Sequence, residues 1–130
     1  MGYWAIRSDR NNQSLILAEL REGRLRQGWG YDDNQDLNIL QAKSLAKGDW
    51  WQQLTNDQKA AWGNIKMLGS RDDSVQIGDV ILVPNLPEYG FFMLVRVTGP
   101  YRYEPLQLTQ EHDVNDLGQD YGHILPVTII

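Results

Sequence analysis

Along this chain apolar positions fall first in short broken runs, then at helical spacing, and finally in unbroken strand-length blocks. Residues 3–7 form an aromatic and apolar run that predicts an opening strand, broken by Asn11-Asn12. Leu15, Ile16, Leu17 and Leu20 follow Ser14, a residue able to cap a helix, and Gly23 closes that short segment. Residues 24–29 predict a second strand with Leu25 and Gln27 on one face. Gly28 and Gly30 flank Trp29, so the backbone can bend there and something can approach closely. Residues 31–36 read as a polar loop and 37–47 as a helix, with Gly48 interrupting before Trp50-Trp51.

The clearest helical signal comes next. Thr55 with Gln58 three residues later forms a capping-box pattern, and Ala61, Ile65 and Leu68 follow on one stripe with Trp62 beside them. Gly69 ends it. The period then changes: Ile77-Gly78-Asp79 is a turn, and residues 80–83 are wholly apolar, as in a strand covered on both faces. Residues 84–90 are a loop, 91–97 a further apolar strand, and 101–103 a short one. A polar excursion over about 104–122 holds five acids and no Lys or Arg, and 124–130 is a closing strand in which Pro126 suggests a sheet edge. Strands at both ends around a helical insert at about 37–68 predict one α+β domain over residues 1–130, its sheet curling into an open barrel.

Composition narrows the setting. A 42% hydrophobic content supports a buried core, and 130 residues suit one domain. The absence of cysteine removes disulfides and thiolate chemistry together. The start, Met1-Gly2-Tyr3-Trp4, shows no signal peptide, and no apolar run approaches the roughly 20 residues of a membrane span, so the cytoplasm is the expected location and no membrane partner is expected. A net charge of −5 argues against sequence-blind duplex binding. The charge is uneven, however: residues 1–71 carry 10 basic against 8 acidic side chains, and 72–130 carry 2 against 9.

Catalytic and metal motifs fail one by one. Asp32-x-Asn34-x-Asp36 imitates a calcium loop, but Leu37 and Lys43 stand where glycine and glutamate are required. Asp57-Gln58-Lys59 lies in a first helical turn, where an acid complements the helix dipole, so it does not read as a nuclease site. His112 and His123 lack further ligands at metal spacing, and no phosphate-cradling glycine loop is present. No metal, cofactor or catalytic set is expected, and the chain is read as a non-enzyme. What stands out is five Trp and six Tyr, several beside Gly or Pro rather than in periodic runs. Flat rings near pliable backbone can stack a planar ligand, and stacking on a base contributes about 1–3 kcal/mol. Packing into the core is the competing account, and it fits Trp62 better than Trp29.

The order of these motifs resembles that of EVE domains. Tyr3-Trp4-Ala5-Ile6-Arg7-Ser8 resembles their opening strand, a Tyr-Trp run leading to a basic residue and a serine. Gly28-Trp29-Gly30, the helix containing Trp62, and Ile77-Gly78-Asp79-Val80-Ile81-Leu82-Val83-Pro84 follow in matching order. The run Val95-Arg96-Val97-Thr98-Gly99-Pro100-Tyr101-Arg102-Tyr103, then His123-Ile124-Leu125-Pro126-Val127, is similar to the EVE-like domains that precede nuclease domains in bacterial restriction (Mrr-type) proteins. The likeness spans nearly the whole chain through short motifs.

It implies an α+β, PUA-like fold, a curved sheet or open β-barrel with flanking helices, and a pocket for a flipped or unpaired modified base. Carried over to this sequence, Trp4, Ser8, Trp29, Gly30 and Pro84 would line the pocket, with Trp29 stacking and Ser8 reading the polar edge. Tyr101, Tyr103 and His123 are further pocket candidates that strand packing would explain equally, and Arg7, Arg24 and Arg26 are candidate phosphate contacts. The expected function is a non-catalytic reader of modified nucleic acid, DNA ahead of RNA, serving a restriction or defence system with a nuclease subunit or domain as partner. The acidic excursion and the negative charge do not suit a strong duplex binder. The alternative is a protein–protein interaction domain using Trp50-Trp51 or the acidic loop.

Overall fold

The computed structural model describes residues 1–7, 12–46, 48–70, 72–105 and 121–130. Most of the expected polar excursion, and Ser8, lie outside the described residues. The elements follow in the order β1 (Tyr3–Ala5), α1 (Gln13–Arg21), β2 (Arg24–Gln27), α2 (Leu37–Leu45), α3 (Asn56–Ala61), β3 (Val80–Pro84), β4 (Phe92–Val97), β5 (Arg102–Tyr103) and β6 (His123–Ile129). The fold is α+β: three α-helices with one open, six-stranded mixed sheet, in the order β1-β3-β4-β6-β2, with β5 paired to β6. Among the strands of the described residues β1 and β3 pair in parallel and the other strand pairs are antiparallel.

Local chemistry sets the helix ends. Thr55 accepts from the Gln58 N–H at 3.1 Å while the Gln58 side chain accepts from the Thr55 N–H at 2.9 Å, completing the expected capping box. The α-helix stops at Ala61, and the chain tightens into a 3-10 helix over Trp62–Leu68. Gly63 and Asn64 are poor helix formers, and the Asn64 amide donates to the Gly28 carbonyl at 2.9 Å instead of facing solvent. α1 begins at Gln13, with Asn12 rather than Ser14 at its cap and no capping side-chain bond.

Burial follows the strand period. Leu25, Ile81, Val83, Val95, Leu125 and Val127 are almost fully buried in one apolar cluster with Ile16 and Leu20 of α1 and Leu37 and Leu40 of α2. Each such side chain contributes about 1.5–3 kcal/mol on leaving water. Pro126 is not at the sheet edge that its residue type suggests. It lies within inner strand β6: on one side residues 123–126 pair with β2, and on the other the partner changes from β5 at residues 123–124 to β4 at 127–129. The Val127 N–H bonds to Gly23 and the Pro126 carbonyl accepts from Thr98, so the missing proline N–H falls between the ladders to β5 and β4 and breaks neither.

The sheet's two edges are β1 and β2. Residues at both edges, Trp4 and Ile6 at one and Leu25 and Gln27 at the other, line one cavity of about 210 Å³ together with Ile81, Leu125 and Gly63, Asn64, Lys66 and Met67 of the 3-10 helix. The sheet therefore curls until its edges approach, but a seam is left open.

Candidate functional site

Just past the end of β2 the backbone enters the left-handed region at a bulky residue, and Asn85 is the other non-glycine residue that does so among the described residues. Trp29 has φ 64°, in the left-handed region, and its side chain is 53% exposed. A bulky residue held there costs about 1–3 kcal/mol, so it persists only where its surroundings enforce it. The enforcement comes from β6. His123, opposite Gln27 in the ladder and fully buried, places Nε2 at 2.8 Å from the Trp29 carbonyl oxygen. A carbonyl can only accept, so Nε2 carries the ring proton. Nδ1 of the neutral ring is then the acceptor, and the Tyr101 hydroxyl, 2.7 Å away, donates to it. The same hydroxyl accepts from the Leu37 N–H at 3.1 Å, at the start of α2. One relay thus runs from the first turn of α2 through Tyr101 and His123 to the Trp29 backbone.

Two glycines let the chains come this close. A Cβ on Gly30 would lie 2.9 Å from Tyr103 Cε2 and 3.0 Å from His123 Cδ2. A Cβ on Gly122 would lie 2.2 Å from the Gly30 carbonyl oxygen, and Gly30 pairs in parallel with Tyr121. Tyr103 packs its ring 5.3 Å from His123 and donates its hydroxyl to the Asp32 carbonyl, so it fixes the loop after Trp29. Buried Gln35 and Gln58 tie the same loop to α3: Gln35 Nε2 donates to the Asp57 carbonyl and Gln58 Nε2 to that of Asn34. The loop expected to be merely polar is therefore pinned from both sides.

Burial pushes the Tyr101 and Tyr103 hydroxyls well above their ordinary values, so both stay protonated donors. Burial also pushes His123 down, outweighing the Trp29 carbonyl bond and the Asp36 charge. An unfolded histidine titrates near pH 6.5. Below that value the unfolded chain takes up a proton that folded His123 refuses, so stability present above about pH 6.5 declines as pH falls through the window beneath it. Urea-unfolding midpoints should show this decline, and His123→Phe should flatten it at some cost in stability. An unchanged slope in the variant would assign the decline to other groups.

At the mouth of the seam, Trp4 is held by Asp79. Its Nε1 donates to Asp79 Oδ2 at 2.8 Å, and Oδ1 accepts from the Gly2 N–H at 2.7 Å. Burial alone would raise this carboxyl, but these bonds and a third from the Gln76 N–H hold it below its usual value. Lys66 lies across the Trp4 ring with Nζ 5.6 Å from the centroid.

The expected site residues do not all assemble. Trp29, Gly30, Tyr101, Tyr103 and His123 gather where β2 ends and β6 begins. Trp4 is not among them; it lines the cavity that Leu25 and Gln27 of β2 also line. Pro84 does not join them: it ends β3 opposite Phe92, at the far end of the strand from Val80. Ser8 lies outside the described residues.

The expected phosphate contacts divide as well. Arg26 is 4% exposed, with Nε 2.6 Å from Glu19 Oε1 and NH1 donating to the Glu104 and Tyr121 carbonyls at 2.8 Å each. Arg24 Nε donates to Glu19 Oε2 at 2.6 Å. Arg26 is thus engaged within the protein, which corrects the sequence expectation for it, whereas Arg24 pairs with Glu19 but stays partly exposed. Arg7 is exposed. Gln27, Asn64 and Lys66, which also line the seam, are not among the site candidates that the sequence offers. The signal for Gln27 was there: a carboxamide in register with Leu25 on a core-facing strand face.

Among the described residues, no group of three or more His, Asp or Glu could hold a metal ion, and no helix is long and apolar enough to cross a membrane. No family model, no curated protein and no solved structure matches the chain.

Proposed function

We propose that this chain is a non-catalytic nucleic-acid-binding module that stacks an unpaired or flipped base, modified DNA ahead of RNA, on the Trp29 indole. The observation that carries the reading is the combination at that residue: a left-handed backbone enforced by a buried histidine, and a ring left half exposed. Among the described residues neither the ring nor its N–H has a protein partner. Strain kept at a half-exposed ring that makes no hydrogen bond or ring contact among the described residues points to a role outside folding. The open, edge-to-edge sheet is compatible with the PUA-like, EVE-type architecture that the sequence motifs resemble. Service in a restriction or defence system beside a nuclease rests on that resemblance alone.

Charge refines the proposal. With a net charge of −5 and with Arg24 and Arg26 paired to Glu19, affinity should come mainly from stacking. Short single-stranded DNA carrying a modified base should bind at low salt with a shallow dependence of log K on log salt. Trp29→Ala should weaken it by about 1–3 kcal/mol, or roughly 5- to 150-fold, in fluorescence anisotropy. If the variant binds as the parent does, the platform is not Trp29.

A protein partner is the second reading, favoured by a different surface. Phe92, Leu94 and Ile130 stand exposed on the outer side of β4 and the end of β6, with Phe91 and Tyr89 nearby in sequence. Trp50-Trp51 serves it less well, because Trp50 packs edge-on against both Trp51 and Trp62. A complex that survives nuclease treatment and is lost in Phe92→Ser would favour this reading.

A further inference from the structure

We infer that the seam between β1 and β2 is the pocket that receives the base itself, and that the Gln27 carboxamide reads its edge. The inference rests on the nucleic-acid reading above and locates the recognition that an exposed stacking ring cannot supply. Stacking is tolerant of base identity, because every base has a π-face. Selectivity needs donors and acceptors aimed at a base edge inside a space that excludes other shapes.

The seam has those features. Its volume of about 210 Å³ falls below the roughly 300–1,000 Å³ of sites that take drug-sized ligands, which leaves room for one small ring system. Trp4 supplies a flat wall whose orientation is locked by the bond from its Nε1 to Asp79. Ile6 and Leu125 supply apolar surface. Gln27 is half-buried on this lining, and its carboxamide makes no hydrogen bond among the described residues. It therefore offers an adjacent donor and acceptor, the pair that matches a base edge in bidentate fashion. Asn64 anchors its Nδ2 on the Gly28 carbonyl, which leaves its Oδ1 to accept. Lys66, exposed and without an ion pair among the described residues, is a cation at the rim for the attached phosphate. Because Gln27 is two residues before Trp29 on the same strand end, one nucleotide can enter the seam while a neighbour stacks on Trp29.

The test uses the full chain and labelled short single-stranded DNAs of one flanking sequence. The central position is varied over the four standard bases, 5-methylcytosine, N6-methyladenine and an abasic site. The parent should prefer some bases over others, and the abasic probe should bind about tenfold or more weakly than the preferred one. Gln27→Leu should compress the spread among bases to about twofold while leaving the abasic probe unaffected, since a lost bidentate pair removes discrimination of about this order. Gly63→Leu gives an independent obstruction, because Gly63 lines the cavity and a Cβ there meets nothing within 4 Å. It should lower base-dependent binding without affecting the abasic probe. If both variants keep the parent's ranking and spread, the base does not enter the seam, although the nucleic-acid reading stands. If the parent binds no probe, both fall together.

Discussion

Glu19→Ala is expected to destabilise the protein by about 3–5 kcal/mol, the range for breaking a buried ion pair by removing one partner. Glu19 is 7% exposed and faces two arginines, with Oε1 on Arg26 and Oε2 on Arg24. Arg24 is partly exposed and can turn to water, but Arg26 cannot. Without Glu19 its charge would be left buried, supported among the described residues by the Glu104 and Tyr121 carbonyls. Urea unfolding should show the loss, and the double variant Glu19→Leu, Arg26→Met should recover most of it, because no lone charge then remains. A loss below about 1 kcal/mol in the single variant would mean that water reaches Arg26.

Gly122→Ala should cost about 3 kcal/mol, the upper part of the range for an overpacked site. The added methyl would meet the Gly30 carbonyl oxygen at 2.2 Å, a backbone atom with no rotamer to change. The strand end must then retreat, which draws His123 Nε2 from the Trp29 carbonyl and releases the left-handed turn. Two readouts should therefore change together, the unfolding midpoint and the affinity for base-bearing single strands. If stability falls while affinity holds, the Trp29 ring keeps its place without the histidine, and the relay from Tyr101 is not what positions it.

Much of the scaffold could be read before any coordinates. The Thr55–Gln58 capping box, the apolar block of β3 and the element order all reappear, because each depends on short-range spacing. The same holds for Trp29 between two glycines: local sequence suffices to mark a place where backbone bends and a ring stands apart. Arg26 was misjudged for the complementary reason. An arginine beside a strand face reads as solvated until the fold brings Glu19 from α1 and two carbonyls from distant segments around it. Pro126 was misjudged similarly, since a strand that changes partners midway has a gap in its ladders that residue type cannot announce.

What the sequence by itself determined is therefore the set of parts: strands and helices from hydrophobic period, caps from side-chain reach, and the absence of thiol chemistry from composition. Tertiary structure alone decided which parts meet. It brought His123 to the Trp29 carbonyl across 94 residues, separated Pro84 from that ring, and brought Gln27 and Trp4 to the lining of one cavity. The physical reason is range. Periodicity and capping act over a few residues, whereas hydrogen bonds between distant segments and the approach of two sheet edges exist only once the whole chain has packed.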